Sequence, residues 1–286
     1  MLATSGELWA QLDPVSLSLQ AYQAKDYEKA RELIETAVGM EKYATQARPW
    51  YFRAYIYKDL YKEQRASENA GTYRKEAIDS YFKTIEYDVN NEFTDDCKQS
   101  IKFLATTIYN ESAANLDANN FEVARKLYTD YKEIWLGVIP DFDFRARDIE
   151  FDLYMASKYS VIFDNADINN KPQEISDIIV ELYKNVLLID SNNISANYNL
   201  GIHFYNQGVN IIENIDYNED FEIIFAKQEK VIELFEAALP YMLKAYELDP
   251  YRKEVLQGLS GIYYGLSDME KSEYYQTLLE ELEQGK

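Results

Sequence analysis

Residues 194–250 restrict the fold of this chain more than any other stretch. The stretch opens with ISANYNLGIHFYNQG and closes, after a gap, with AALPYMLKAYELDP. Small and large residues alternate through both pieces, which suits two helices packed at close range; these residues are Leu200, Gly201, Phe204, Ala238, Met242 and Ala245. The closing Leu-Asp-Pro stops a helix, because the residue before a proline disfavours helical geometry. We therefore predict a closely packed pair of helices.

This helix pair resembles a unit of the tetratricopeptide repeat family, in which about 34 residues form two helices, A and B. The same spacing of small and large residues can be followed along nearly the whole chain. It predicts six units, at 11–44, 47–91, 106–138, 149–193, 194–252 and 253–286. The match is strongest in the second, fifth and sixth units, and the last three units follow one another without a gap.

The resemblance implies an all-α fold, a right-handed α-solenoid of about six helix pairs, in a single domain over residues 1–286. The similarity is to bacterial members of the family that have lengthened helices. Composition agrees with this class, because the chain has only 10 Gly and 6 Pro, too few for a turn-rich β protein. The motifs encode packing, so they predict the fold far better than the function.

Helical insertions distinguish this chain from a regular array of such repeats. Residues 58–76 are helix-forming except near Asn69–Gly71. Residues 209–239 carry apolar residues at helical spacing on both sides of a polar break at 216–220. We predict lengthened A and B helices that project past the usual turn. The insertions in the second, fourth and fifth units lie at A–B turns, which share one edge of a solenoid, so they predict a ridge of helical extensions.

Aspartate and proline residues predict where several helices begin and end. Asp13–Pro14 can start a helix, Asp26 can cap the next one, and Asp249–Pro250 ends the B helix of the fifth unit. Pro240 lies inside that B helix. A proline there predicts either a kink or the start of a separate helix, since the first turn of a helix does not need its missing N–H.

The chain is strongly acidic, with a formal net charge of −21. This charge is unfavourable for nucleic acid, whose phosphates bind Lys and Arg, and equally unfavourable for anionic membrane surfaces. Acidic residues often serve only to solvate outer helix faces, but they can also attract a basic partner. We therefore expect a protein or peptide partner, basic if the charge takes part in binding, and no nucleic acid.

Neither a membrane span nor an export signal is predicted. The chain has no run of about 18 or more apolar residues. Its N-terminal sequence MLATSGELWAQLDP lacks a basic region followed by an apolar core, unlike a secretory signal. The sequence as it stands favours the cytoplasm, and a trimmed mature form would be compatible with the periplasm or export. The compartment therefore stays open.

The sequence has no recognisable pattern for catalysis or for a cofactor. Cys97 is the one cysteine and His203 the one histidine, which argues against a Cys–His pair and against a zinc site. Residues 216–227 begin like a calcium-binding loop, but Phe221 and Lys227 replace the glycine and the glutamate that such a loop needs. We expect His203 to be a packing residue, and we expect no metal, no cofactor and no enzymatic activity.

The resemblance also indicates a candidate binding surface, because the A helices of tetratricopeptide arrays line a concave face. Projected onto this sequence, those positions carry aromatic and amide side chains: Tyr51, Phe52, Tyr55, Tyr198, Asn199, Tyr205, Asn206 and Tyr264. Such side chains suit binding surfaces. At one end, Gly258, Gly261 and Gly265 predict a flat patch that a partner backbone could approach closely. The alternative is that several of these tyrosines pack on the inserted helices.

Two functions fit these features. The first is a non-catalytic scaffold that binds a peptide or a partner helix in the groove lined by Tyr and Asn. The second is a structural subunit that self-associates through the ridge or an end face. A clamp for a peptide C-terminus is disfavoured, because Asn199 fits one position of such a clamp but adjacent units lack the Lys and Asn that would accompany it. An enzyme of unfamiliar type is the third alternative.

Overall fold

Residues 13–115, 120–167 and 172–285 are described by the computed structural model of the chain. Within these ranges the regular structure consists of thirteen helices, and none of the described residues lies in a strand. Helices follow one another along the chain as successive packed pairs. The predicted all-α class of solenoid type is therefore confirmed.

The helices are divided between two compact units. Unit 1 comprises residues up to 114 and residues 123–142, and unit 2 comprises residues 115–122 and residues from 143 onwards. The helices of unit 1 are α1 (Pro14–Gln23), α2 (Tyr27–Val38), α3 (Glu41–Ala44), α4 (Ala47–Glu63), α5 (Ala70–Tyr87), α6 (Thr94–Ala114) and most of α7 (Phe121–Val138). Those of unit 2 are α8 (Arg145–Asn165), α9 (Gln173–Ile189), α10 (Ile194–Glu213), α11 (Phe221–Leu248), α12 (Lys253–Gly265) and α13 (Met269–Glu283).

Most contacts within each unit join helices that are adjacent in the chain or separated by one helix. In unit 1, α1 packs on α2, α2 on α4, α4 on α5 and α5 on α6. In unit 2, each helix from α8 to α12 packs on the one that follows it. The apolar faces are therefore buried stepwise between neighbours, as helical repeats bury them.

The helix pair α10–α11 shows why the small residues are needed. Leu200 and Ala238 are fully buried between these helices. Gly201 faces Met242, and a β-carbon on Gly208 would lie 2.5 Å from Cε1 of Phe235. Large side chains on one helix thus fill the space left by glycines on the other, which confirms the alternation read from the sequence.

The predicted helix ends at three aspartates are confirmed. The Asp13 side chain caps α1 by accepting a hydrogen bond of 3.3 Å from the Ser16 backbone N–H. Asp26 caps α2 by accepting one of 3.1 Å from the backbone N–H of Lys29. Asp249 is the C-cap of α11. The side chains of Asp13 and Asp26 each satisfy a backbone N–H in the first turn of a helix, and α11 ends at Asp249. The groups involved are close together in the sequence.

The lengthened helices of the fifth unit are also confirmed. The 20 residues of α10 end at Glu213 and the 28 residues of α11 begin at Phe221, on either side of the predicted polar break. The prediction of a new helix at Pro240 is wrong, because α11 runs through this residue. Burial of Phe235 on one side and Met242 on the other side of Pro240 stabilises the helix across the missing hydrogen bond.

Other predicted features differ from the structure in their position or lie outside the described residues. The break expected near 69–71 falls earlier, at 64–69, and residue 70 already begins α5. The candidate packing residue Leu116, the first two residues of the first predicted unit and the insertion residues 168–171 lie outside the described residues. A ridge formed by extensions of both units and a single domain over the whole chain stay predictions. None of the described helices combines the length and apolar character needed to cross a membrane.

Candidate functional site

The eight candidate residues are divided between the two units. Tyr51, Phe52 and Tyr55 lie on α4 in unit 1. The other five lie in unit 2, on α10 for Tyr198, Asn199, Tyr205 and Asn206 and on α12 for Tyr264. Each unit contains a cavity lined by some of these residues.

The cavity of unit 2 is a groove of about 640 Å³ formed by α8, α9 and α10. We call it the amide groove after its polar wall residues, which are Ser157, Ser160, Asn199, Asn206, Gln207 and Asn210. They lie at helical spacing on α8 and α10, so each helix presents one row of hydrogen-bonding side chains to the groove. Asn199 and Asn206 belong to the predicted surface and are brought together here.

Two buried side chains, Tyr183 and His203, line part of the amide groove. Burial raises the pKa of Tyr183, and the nearby polar side chains of Ser160 and Asn199 partly oppose this rise. His203 is buried, with Nε2 at 2.9 Å from the Ser176 hydroxyl oxygen. The hydrogen bond with Ser176 agrees with the expectation that His203 is a packing residue, and it holds the imidazole ring in place.

Negative charge lines the amide groove. Asp164 at the end of α8 and Glu213 at the end of α10 contribute carboxylates to its wall. Among the described residues that line the groove there is no lysine or arginine. The groove therefore offers amide donors and acceptors together with acceptors of positive charge.

One of the cavities of unit 1 lies between α1 and α4, has a volume of about 220 Å³ and is lined by all three candidate residues of this unit. We call it the aromatic pocket; its walls are Leu19, Tyr22, Tyr51, Phe52, Tyr55 and Ile56, with Ser18 beside them. The ring centroids of Tyr51 and Tyr55 are 4.9 Å apart, and the two ring planes are inclined at 65°. The structure thus brings Tyr51, Phe52 and Tyr55 together around one space.

Carboxylates accept hydrogen bonds from the three tyrosines of the aromatic pocket. Tyr51 and Tyr55 donate to Oδ2 of Asp96 over 3.0 and 2.8 Å. Tyr22 donates to Oδ2 of Asp59 over 2.6 Å. Burial and these hydrogen bonds raise the pKa of Tyr22 and Tyr51 well above the ordinary tyrosine value, so both are neutral at physiological pH.

Two cations of the chain already lie over rings of the aromatic pocket. Lys58 Nζ is 3.8 Å from the centroid of the Tyr55 ring and donates a hydrogen bond of 3.2 Å to the Ser100 hydroxyl. Burial lowers the pKa of Lys58. The Arg48 guanidinium lies 5.5 Å from the centroid of the Phe52 ring. Neither cation is among the residues that line the aromatic pocket.

The remaining predicted residues of unit 2 lie outside the amide groove. The Arg252 guanidinium lies 3.8 Å from the centroid of the Tyr198 ring. Tyr205 stacks on Phe235, with ring centroids 5.6 Å apart, which agrees with the alternative that some tyrosines pack on the inserted helices. Tyr264 is 66% exposed. These three side chains therefore have different surroundings and do not form one continuous surface with the groove.

The prediction of an open glycine patch on α12 is wrong. The space above each of the three glycines is taken by a side chain of α10 or α11, because a β-carbon would collide with Met242 at Gly258, with Tyr205 at Gly261 and with Phe235 at Gly265. The three positions are small because these large side chains pack against them.

The contributions of α8 and α1 to the two cavities were not predicted from the sequence. Ser157 and Ser160 on α8 and Tyr22 on α1 were not in the predicted surface, because the repeat pattern is weakest in the A helices of the fourth and first units. Their helical spacing is the signal that could have found them: Ser157 and Ser160 are three residues apart, as neighbours on a helix face are.

Comparison with known proteins gives only distant similarity. No protein-family model matches the chain, and no curated protein matches it. Among solved structures, a monomeric mutant of IFIT1 with Gppp-AAAA matches 93% of this chain at 14% identity with a TM-score of 0.36. Human IFIT1 as a dimer with m7Gppp-AAAA matches 93% at 15% identity with a TM-score of 0.34. The chain spans about half of these proteins, 49% of each, and similarity this low supports no conclusion about ligands.

Proposed function

We propose that the chain is a non-catalytic protein-binding scaffold that holds an extended peptide segment in the amide groove of unit 2. The observation that carries this proposal is the double row of amide and hydroxyl side chains from α8 and α10 around a space of about 640 Å³. A space of this size lies within the range of small-ligand sites, about 300–1,000 Å³, so it holds a few residues of a peptide.

The polar chemistry of the amide groove suits a peptide backbone. A carboxamide such as Asn206 both donates and accepts hydrogen bonds, and so does every non-proline peptide unit. An extended peptide has free N–H and C=O groups, which amide side chains can pair with at little cost in geometry. These backbone hydrogen bonds do not depend on the side chains of the peptide, so they favour a scaffold over a site for one small molecule.

The charge of the amide groove favours a basic peptide. Asp164 and Glu213 place carboxylates at the groove, and the whole chain carries a net charge of −21. Opposite charge on the partner increases the association rate and excludes acidic competitors. We therefore expect lysine or arginine within the bound segment.

Selection from a displayed library of random peptides tests the proposal. The purified chain is the target, and the affinities of the enriched peptides are measured by isothermal titration calorimetry. We expect peptides rich in lysine and arginine. We expect the double variant Asn199→Ala/Asn206→Ala to weaken their binding by about tenfold or more, as the loss of two hydrogen bonds predicts.

Asn110→Ala is the matched control, because Asn110 is an exposed asparagine on α6 in unit 1. This variant should bind the peptides as the unaltered chain does. Thermal melting of both variants shows whether either substitution disturbs the fold. Peptides that bind the double variant as tightly as the unaltered chain would remove the support for the amide groove as the binding site.

A second candidate function, self-association, is favoured by an exposed apolar stripe at the start of α11. Phe221 and Phe225 are 79% and 50% exposed, and their rings stack with centroids 6.5 Å apart. Ile232 lies on the same face of the helix and is 45% exposed. A second copy of the chain that covers this stripe would remove apolar surface from water.

Light scattering after size-exclusion chromatography, at several protein concentrations, tests self-association. We expect the mass to rise with concentration in the unaltered chain and to stay at 33.5 kDa in Phe221→Asp/Phe225→Asp. Tyr251→Asp replaces another exposed aromatic residue of unit 2 and should leave the association unchanged. A strict monomer at all concentrations contradicts this candidate function.

A further inference from the structure

The side chains that line the aromatic pocket of unit 1 determine which class of ligand it can bind. Its walls are four aromatic rings and two aliphatic side chains from α1 and α4. The rings do not form a parallel stack: the planes of Tyr51 and Phe52 are inclined at 51°, and those of Tyr51 and Tyr55 at 65°. Inclined rings at these distances are in contact with one another, and the space of the pocket lies between them and the side chains of α1.

The hydroxyl groups of the aromatic pocket already have partners elsewhere. Ser18 donates a hydrogen bond of 2.8 Å to the backbone C=O of Ala30. The hydroxyls of Tyr22, Tyr51 and Tyr55 donate to the carboxylates of Asp59 and Asp96. A polar ligand would lose its hydration on entering the pocket and would not find these donors available in return. The pocket therefore favours a ligand without polar groups.

Aromatic rings can also attract a cation, so a quaternary ammonium group is the competing ligand. Two of the four rings already interact with a cation that does not line the pocket, Lys58 at Tyr55 and Arg48 at Phe52. A second cation on the same rings would meet repulsion from the first. The nearby carboxylate of Asp59 is paired with Lys62 over 3.1 Å. The carboxylate of Asp96, which accepts hydrogen bonds from Tyr51 and Tyr55, would attract a cation. The two cations already over the rings oppose this attraction, so we expect a neutral ligand to bind more tightly.

We propose that the aromatic pocket is a binding site for an uncharged apolar group, of the size of a leucine or phenylalanine side chain. An apolar cavity of about 150 Å³ is large enough for benzene, and the aromatic pocket has about 220 Å³. Its rings are half-buried and reachable from solvent. The site lies in unit 1 and does not depend on the amide groove, so each can fail without the other.

Two small molecules of the same shape separate the two ligand classes. 3,3-Dimethylbutanol carries a neutral tert-butyl group where choline carries a trimethylammonium group. The affinity of each for the full chain is measured by ligand-observed NMR titration. We expect 3,3-dimethylbutanol to bind, and choline to bind at least about tenfold more weakly. Choline binding as tightly as the alcohol, or no binding of the alcohol, overturns the proposal.

A variant that fills the pocket locates the binding. Leu19→Trp puts a larger side chain into the wall and should reduce the affinity for 3,3-dimethylbutanol by about tenfold or more. Leu188→Trp is the control, because Leu188 is an exposed leucine of α9. If Leu19→Trp does not fold, Phe52→Ala removes one ring of the wall and should weaken binding likewise. Unchanged binding by the folded pocket variant overturns the proposal.

Discussion

Gly201 on α10 and Met242 on α11 are in direct contact, and a β-carbon on Gly201 would lie 2.6 Å from Cγ of Met242. Met242 is fully buried, so its side chain has little room to move away. The two helices can therefore approach this closely only with glycine at position 201.

Gly201→Ala should destabilise the chain. The added methyl group overlaps with Met242, and overpacking of this kind costs about 1–3 kcal/mol in the free energy of unfolding. Urea denaturation followed by circular dichroism measures the change. Gly71→Ala is the control, because a β-carbon there meets no atom within 4 Å; it should be neutral or slightly stabilising. A Gly201→Ala variant as stable as the control would show that α10 and α11 are less closely packed.

Arg53 is a buried cation whose loss should be costly. Its guanidinium donates hydrogen bonds of 2.8 Å to Glu35 and 2.7 Å to Glu76. Arg53→Met removes the cation and leaves these two partly exposed carboxylates close together, so we expect a loss of about 2–4 kcal/mol in stability. Arg145→Met breaks an exposed pair with Asp143 and should leave the stability almost unchanged, because water and salt screen exposed charges. Equal melting temperatures for the two variants would contradict the prediction.

Tyr275 should contribute to loss of stability in alkaline solution. It stacks on Tyr263 with ring centroids 5.7 Å apart, and burial raises the pKa of Tyr275 to about 12. Because the folded state holds the proton more tightly than the unfolded state, this contribution is complete below pH of about 10 and disappears between about 10 and 12.

Tyr275→Phe should therefore reduce the fall in unfolding free energy over this range, by about 1–2 kcal/mol. Urea denaturation at a series of pH values measures it. Tyr217→Phe, at a residue that is 80% exposed, should keep the pH dependence of the unaltered chain. The same dependence in Tyr275→Phe would show that other groups cause the alkaline loss.

Cys97 should be unreactive in the folded chain. Its side chain is fully buried, and burial, with the nearby carboxylate of Asp96, raises the pKa of the thiol to about 12. The thiolate is the reactive form, so little of it is present at pH 8. We expect Ellman's reagent to react orders of magnitude faster in denaturant, with one thiol per chain. Rapid reaction of the native chain would show that the packing around Cys97 on α6 opens readily.

Local sequence signals predicted the helices and many of their ends. The caps at Asp13 and Asp26 depend on hydrogen bonds to backbone N–H groups three residues away, and such contacts can be read from the order of residues. The polar break between α10 and α11 can likewise be read from consecutive residues of the sequence. Pro240 is the exception, because burial on both sides of it stabilises one continuous helix.

The two sites were predicted only in part. Asn199 and Asn206 were identified, but their place in a groove depends on α8, whose repeat pattern is weak. Tyr205 was expected on an open surface, yet it packs on Phe235 and Gly261. The sequence marks tyrosine as suited to both interiors and surfaces, so it cannot distinguish these two outcomes at a single position.

The amino-acid sequence by itself determined an all-α chain of paired helices with small residues where the helices meet, since periodicity and capping act over a few residues. The tertiary structure alone decided which glycines are covered, which rings surround a cavity and which carboxylates accept hydrogen bonds from the tyrosine hydroxyl groups. Gly258 and Met242, or Tyr55 and Asp96, are far apart in sequence, and only the packing of whole helices brings such residues into contact.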